Sequence, residues 1–141
     1  MTSDNTADSE QQPTNHTKRP GRIVVKLGTN LLTGGKNSLD PKTIGNIIKQ
    51  ISSVKTSGID VIIVSSGAVA AGQDPLSRTP GKDKLQRGTI AYRQALAALG
   101  QPQLMMTFEQ FSAERGFEVA QALISRGDLQ SRSRYLNVRN T

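Results

Sequence analysis

Cysteine is missing from the chain, and with it go disulfides and thiolate metal sites; a cytoplasmic setting is the default for such a composition. The one histidine, His16, stands in a polar N-terminal stretch. Serine–histidine and cysteine–histidine nucleophilic catalysis and most zinc chemistry therefore lack their residues. Aromatic residues make up only 4% of the 141 positions, so stacking platforms for nucleic-acid bases are scarce. The formal charge of +7 does not reverse that conclusion, because the basic residues are scattered. Their densest group, Arg126, Arg132, Arg134 and Arg139, reads as a solvated helix face or a surface for acidic residues. No apolar run approaches the ~20 residues of a membrane span, and the first residues lack the apolar core of a signal peptide.

Residues 1–21 are rich in Ser, Thr, Asn, Asp and Gln and are expected to form a disordered tail, since they bury too little apolar surface to offset ordering entropy. Residues 22–141 alternate strand and helix patterns. Arg22–Leu27 reads as a buried strand closed by Gly28. Asp40 offers an N-cap and Pro41 a first helical residue. Ile44, Ile47, Ile48, Ile51 and Val54 then draw one apolar helix face that ends at Gly58. Ile59–Val64 is a second aliphatic strand, emptying into Ser65-Ser66-Gly67-Ala68. Gln73–Gly88 is polar, with Pro75, Pro80 and Gly81, and predicts a mobile loop. Two helices are predicted next, one over Arg93–Leu99 and a second from Pro102 to about Gly116, then a third strand over Phe117–Ile124 and a last helix starting near Arg134. A strand–helix–strand crossover requires parallel pairing, so the class is α/β, a parallel sheet with helices on both faces.

Ligands of open parallel sheets bind outside the carboxyl ends of the strands. Beyond Arg22 at its start, Lys26 is the one charge inside the first strand, and Gly28 and Thr29 follow it with a bare backbone and a hydroxyl donor. An ammonium there either compensates an anion or snorkels to water at the end of the sheet. Ser65-Ser66-Gly67-Ala68 offers backbone amides ahead of a helix, an anion-binding arrangement, or else an ordinary βα turn. Neither a Walker A loop nor a Gly-x-Gly-x-x-Gly fingerprint is present. Anion handling by amides and one lysine suits phosphoryl transfer by positioning and charge neutralisation.

The stretch Val25-Lys26-Leu27-Gly28-Thr29-Asn30-Leu31-Leu32-Thr33-Gly34-Gly35 resembles the opening motif of glutamate 5-kinases, in the amino acid kinase superfamily. Ile63-Val64-Ser65-Ser66-Gly67-Ala68-Val69-Ala70-Ala71-Gly72 resembles their second motif. Arg93–Gln101 and Arg134–Thr141 resemble later segments in the same order. That resemblance implies an αβα sandwich, here its N-terminal part, incomplete at the C-terminus. It implies ATP-dependent phosphorylation of the side-chain carboxylate of L-glutamate to glutamyl 5-phosphate, the first step of proline biosynthesis. In its terms Lys26 contacts the ATP phosphates and stabilises the transferring group, with Gly28 and Thr29 in the same phosphate-facing loop. Ser66 binds glutamate, and Gly67 and Ala68 line that pocket through their backbone. Mg2+ accompanies the nucleotide, with no protein metal site among these residues. Asn30 stands where many relatives carry Ser. The partners implied are ATP and L-glutamate, with neither nucleic acid nor membrane, and self-association is left open. The acidic and Asn-rich motifs and the adenine lobe of that family do not occur in these residues, so the 141-residue chain alone is expected to be inactive and marginally folded. Two other readings stay open: a non-catalytic remnant that binds carboxylate or phosphate, and the front of a bifunctional pyrroline-5-carboxylate synthase.

Overall fold

The computed structural model describes residues 19–141, so most of the tail expected at 1–21 lies outside the described residues. Strand β1, Arg22–Leu27, and strand β2, Asp60–Ser65, pair in parallel, with Lys26 opposite Val64 and Leu27 opposite Ser65. Between them run the one-turn helix α1, Thr29–Thr33, and the crossover helix α2, Pro41–Thr56. After β2 come α3, Ala68–Ala71, α4, Gln73–Ser77, a 3-10 turn at Lys82–Lys84 and the long α5, Ile90–Ala113. Two C-terminal helices, α6 over Arg126–Gln130 and α7 over Arg132–Asn140, complete the described order. No helix among the described residues is long and apolar enough to cross a membrane.

The strand period of two decides what each face does. Val25 and Leu27 of β1, with Val61 and Ile63 of β2, turn inward against Leu32, Ile44, Ile48, Ile51, Leu104 and Phe108. Val24, Ile62 and Val64 turn the other way and are exposed. Within the described residues the helices thus cover one face of this strand pair.

Helix α2 follows the sequence closely. The Asp40 carboxylate accepts from the Lys42 amide at 3.2 Å and from the Thr43 hydroxyl at 2.8 Å, and Pro41 opens the helix. Ile44, Ile48 and Ile51 are buried, as their spacing requires. The bond from Thr43, with smaller help from the Lys42 amide and from Lys36, holds the Asp40 carboxyl below the usual carboxylate range, although partial burial opposes it. A folded-state value below the unfolded one gives stability that is present above about pH 4 and lost as pH falls through the folded value. Asp128 is depressed in the same direction by the Ser125 hydroxyl and amide. Asp40→Asn keeps a good N-cap, so its urea midpoint is expected to fall less steeply than that of the parent between pH 5 and 3 (roughly the carboxylate range). Parallel acid profiles of the two proteins would exclude that role.

Four segments depart from sequence expectation. The polar stretch 73–88 is not a continuous loop but holds α4 and the 3-10 turn, because Leu76 is buried and draws its turn inward. The two helices expected on either side of Gly100 are the single helix α5. Pro102 is exposed and so is Ala98, whose carbonyl loses its amide partner; water can serve that carbonyl, and the helix continues. In Phe117–Ile124 the alternation reaches only as far as Ala120: Phe117 and Val119 are half-buried, Gln121–Ile124 are all exposed, and Lys55 Nζ stands 5.5 Å from the Phe117 ring centre. It makes no ladder with the described strands, so it is extended chain rather than a third strand. The last helical region starts earlier than Arg134, at α6, where Ser125 and Asp128 form a reciprocal capping box.

Candidate functional site

Parallel pairing places the carboxyl ends of β1 and β2 side by side, and each end runs directly into a loop and a one-turn helix. A direct latch joins the two loops. The Thr29 hydroxyl donates to the Ser66 carbonyl at 3.1 Å, and its oxygen lies 3.3 Å from the Ser66 hydroxyl. Beneath the latch, the Ser66 amide donates to the Leu27 carbonyl at 3.3 Å, extending the register one residue past the ladder. Of the six residues singled out from the sequence, Thr29, Ser66, Gly67, Ala68 and Gly28 therefore lie on two touching loops.

Lys26 sits one residue before the end of β1, opposite Val64, on the exposed face with Val24. Among the described residues the ion pairs are Arg22–Asp60, Arg115–Glu114 and Arg134–Asp128, and none involves Lys26. Its ammonium is thus available to a ligand anion at the ends of the strands. Gly28 has ordinary extended geometry, φ −74°, and a Cβ added there would meet nothing within 4 Å. What Gly28 contributes is clear space over the loop rather than an unusual backbone conformation.

Gly67 is different. A Cβ there would come within 2.6 Å of Leu32 Cδ1 and 3.4 Å of Leu104 Cδ1. The bare backbone lets the loop press onto the core, whereas the sequence suggested that it clears the way for an anion. Its amide is also already engaged, donating to the Ser65 hydroxyl at 3.3 Å. The Ser66 and Gly67 amides are therefore engaged inside the fold, and so is the Thr29 hydroxyl proton, while the Ser66 hydroxyl stands at this end beside it. The sequence shows Ser65 only as part of the Ser65–Ala68 turn, not as the acceptor of the Gly67 amide; its place two residues before Gly67 is the spacing of a hydroxyl turn, a weak signal. Among the described residues no three acidic or histidine side chains cluster in a way that could hold a cation.

A model of the amino acid kinase family matches residues 21–141. A protein of Dehalococcoides mccartyi, strain 195, named glutamate 5-kinase, is 46% identical over 121 residues, which are 85% of this chain and 31% of the relative. Proteins of the same name from Geobacter sulfurreducens and Vibrio vulnificus are 46% and 43% identical, over 85% and 87% of this chain and 31% of their own length. The chain thus spans about a third of the length of these curated relatives. With the family match running from the start of β1 to Thr141, the chain belongs to the amino acid kinase family.

Proposed function

We propose that the protein takes part in ATP-dependent phosphorylation of the side-chain carboxylate of L-glutamate, as a cytoplasmic glutamate 5-kinase in proline biosynthesis. The observation that supports this reading is the Thr29–Ser66 latch, which brings into contact, at the ends of two paired strands, the two loops that the family resemblance assigns to phosphate and to the amino acid. In the reaction, an oxygen of the glutamate side-chain carboxylate attacks the γ-phosphorus of ATP. The bond from that phosphorus to the β–γ bridging oxygen breaks, and ADP leaves with the electron pair. No proton has to move, which suits a site without histidine or cysteine. Catalysis then consists of positioning and of neutralising phosphoryl charge.

Lys26 supplies the charge on the phosphate side, Gly28 the room for a phosphate against the backbone, and Thr29 the hydroxyl that ties this loop to the Ser66 carbonyl. Ser66 presents its hydroxyl to glutamate, with Gly67 and Ala68 forming the wall behind it. Magnesium would accompany the nucleotide as its counter-ion.

Ser66→Ala separates the two sides of the site. One hydroxyl hydrogen bond is worth ~0.5–1.5 kcal/mol net, more against a charged ligand. In a chain extended to the length of its relatives by the remaining segment of the Dehalococcoides protein, Ser66→Ala is expected to raise the KM for glutamate several-fold and to leave the KM for ATP nearly unchanged. An unchanged glutamate KM at saturating ATP removes Ser66 from the substrate pocket.

A further inference from the structure

Helix α3 meets α5 by backbone contact, directly behind the Ser66 loop. Gly72 follows the last residue of α3, and Gly100 lies midway along α5. A Cβ on Gly72 would stand 1.9 Å from the Leu96 carbonyl oxygen. One on Gly100 would stand 1.8 Å from the Ala68 carbonyl oxygen and 2.4 Å from the Gly72 nitrogen. Carbon and oxygen normally stay about 3.3 Å apart. A single methyl at either glycine therefore has to drive the helices apart by more than an ångström, roughly, because the atoms it meets are backbone and cannot rotate away.

The displaced element is short and has no slack. The Ala71 amide donates to the Gly67 carbonyl at 2.9 Å and the Gly72 amide to the Ala68 carbonyl at 3.1 Å, so α3 moves with Gly67 and Ala68. Those residues carry Ser66, whose carbonyl holds the Thr29 hydroxyl. Leu104, also on α5, packs 3.4 Å from the Cβ position of Gly67 and supports the loop from the same side. The Cβ positions of Gly72 and Gly100 thus meet α3 and α5 backbone, with no atom of β1 or of the Lys26–Thr29 loop among their nearest neighbours.

We propose that Gly72 and Gly100 are positioning residues: their crossing sets how far the Ser66–Ala68 loop stands from the Lys26–Thr29 loop, and so the reach of the acceptor carboxylate toward the phosphoryl group. The catalytic part of this inference rests on the function proposed above. Misplacing reacting groups by about 1 Å costs up to ~10²-fold in rate. The cost falls on the amino-acid side, because α5 touches the loop that carries Ser66.

The test uses the extended chain, with kinetics and amide hydrogen exchange measured on Gly100→Ala, on the milder Leu104→Val, and on Ile51→Val as a control. Ile51 is buried near the C-terminal end of α2, beside the start of β2 and away from the carboxyl ends of the strands. Gly100→Ala is expected to lower kcat by up to ~10²-fold, to raise the glutamate KM about 10-fold with the ATP KM changed less than about twofold, and to speed exchange of the Ala71 and Gly72 amides about 10-fold. Leu104→Val shifts the same quantities less, and Ile51→Val shifts neither the KM ratio nor those amides. If Gly100→Ala does not fold, Leu104→Val decides by the same readouts. Equal changes in both KM values, or unaltered exchange at Ala71 and Gly72, overturn the proposal. If the parent does not phosphorylate glutamate, the functional reading fails, and the exchange data alone still decide whether the crossing holds the loop.

Discussion

Lys26→Ala in the extended chain is expected to lower kcat by about 10²–10³, the usual cost of deleting one preorganised stabiliser of transition-state charge. The lysine is exposed on the free face of β1, so shortening it opens no cavity, and the urea midpoint should stay close to that of the parent. Activity and stability therefore separate cleanly at this position. Lys26→Arg should recover only part of the rate, because a planar guanidinium distributes its charge and donors differently from a compact ammonium. Near-normal kcat in Lys26→Ala would reduce the residue to a strand lysine whose ammonium is held in water at the end of the sheet.

The largest expected effect on stability comes from Leu32→Ala. Leu32 has no exposed surface and sits in the core cluster with Leu27, Ile44 and Leu104. Its Cδ1 is the atom nearest the Cβ position of Gly67, at 2.6 Å, so it underlies both loops of the site. Its carbonyl also accepts the Asp40 amide at 2.8 Å, linking α1 to the start of α2. Removing a buried leucine side chain typically costs ~2–5 kcal/mol when the space cannot collapse, a large share of the ~5–15 kcal/mol of a typical domain. The urea midpoint should fall accordingly, with the slope little changed. A loss under about 1 kcal/mol would mean that the loops move in to fill the space, and that the site is not held by this packing.

What could be read from the residues was what local chemistry decides. β1, α2 with its Asp40 cap and Pro41, and β2 follow from aliphatic runs, turn residues and spacing, and their parallel pairing follows from the crossover. The candidate site was legible to the extent that Lys26–Thr29 and Ser66–Ala68 stand at the ends of those strands. The latch between Thr29 and Ser66 was not, because it depends on the register that sets Leu27 opposite Ser65. Helix α1 is five residues long, too short for a periodic pattern, and it forms around the burial of Leu32 and Thr33. Gly100 and Pro102 look like a helix break in one dimension. In three, Gly100 takes the close approach of α3 and the proline lies on the exposed side, so neither ends α5. Phe117–Ile124 carries a strand pattern, but a strand also needs a backbone partner, and pattern alone does not supply one.

The most direct test of the proposed activity is chemical trapping of the product. The extended chain is incubated with ATP, magnesium and L-glutamate in the presence of hydroxylamine, which converts an acyl phosphate to a stable hydroxamate. Glutamyl hydroxamate is expected to form in step with ADP release and to require both substrates. Hydroxamate formed from aspartate or N-acetylglutamate but not from glutamate would contradict the assignment.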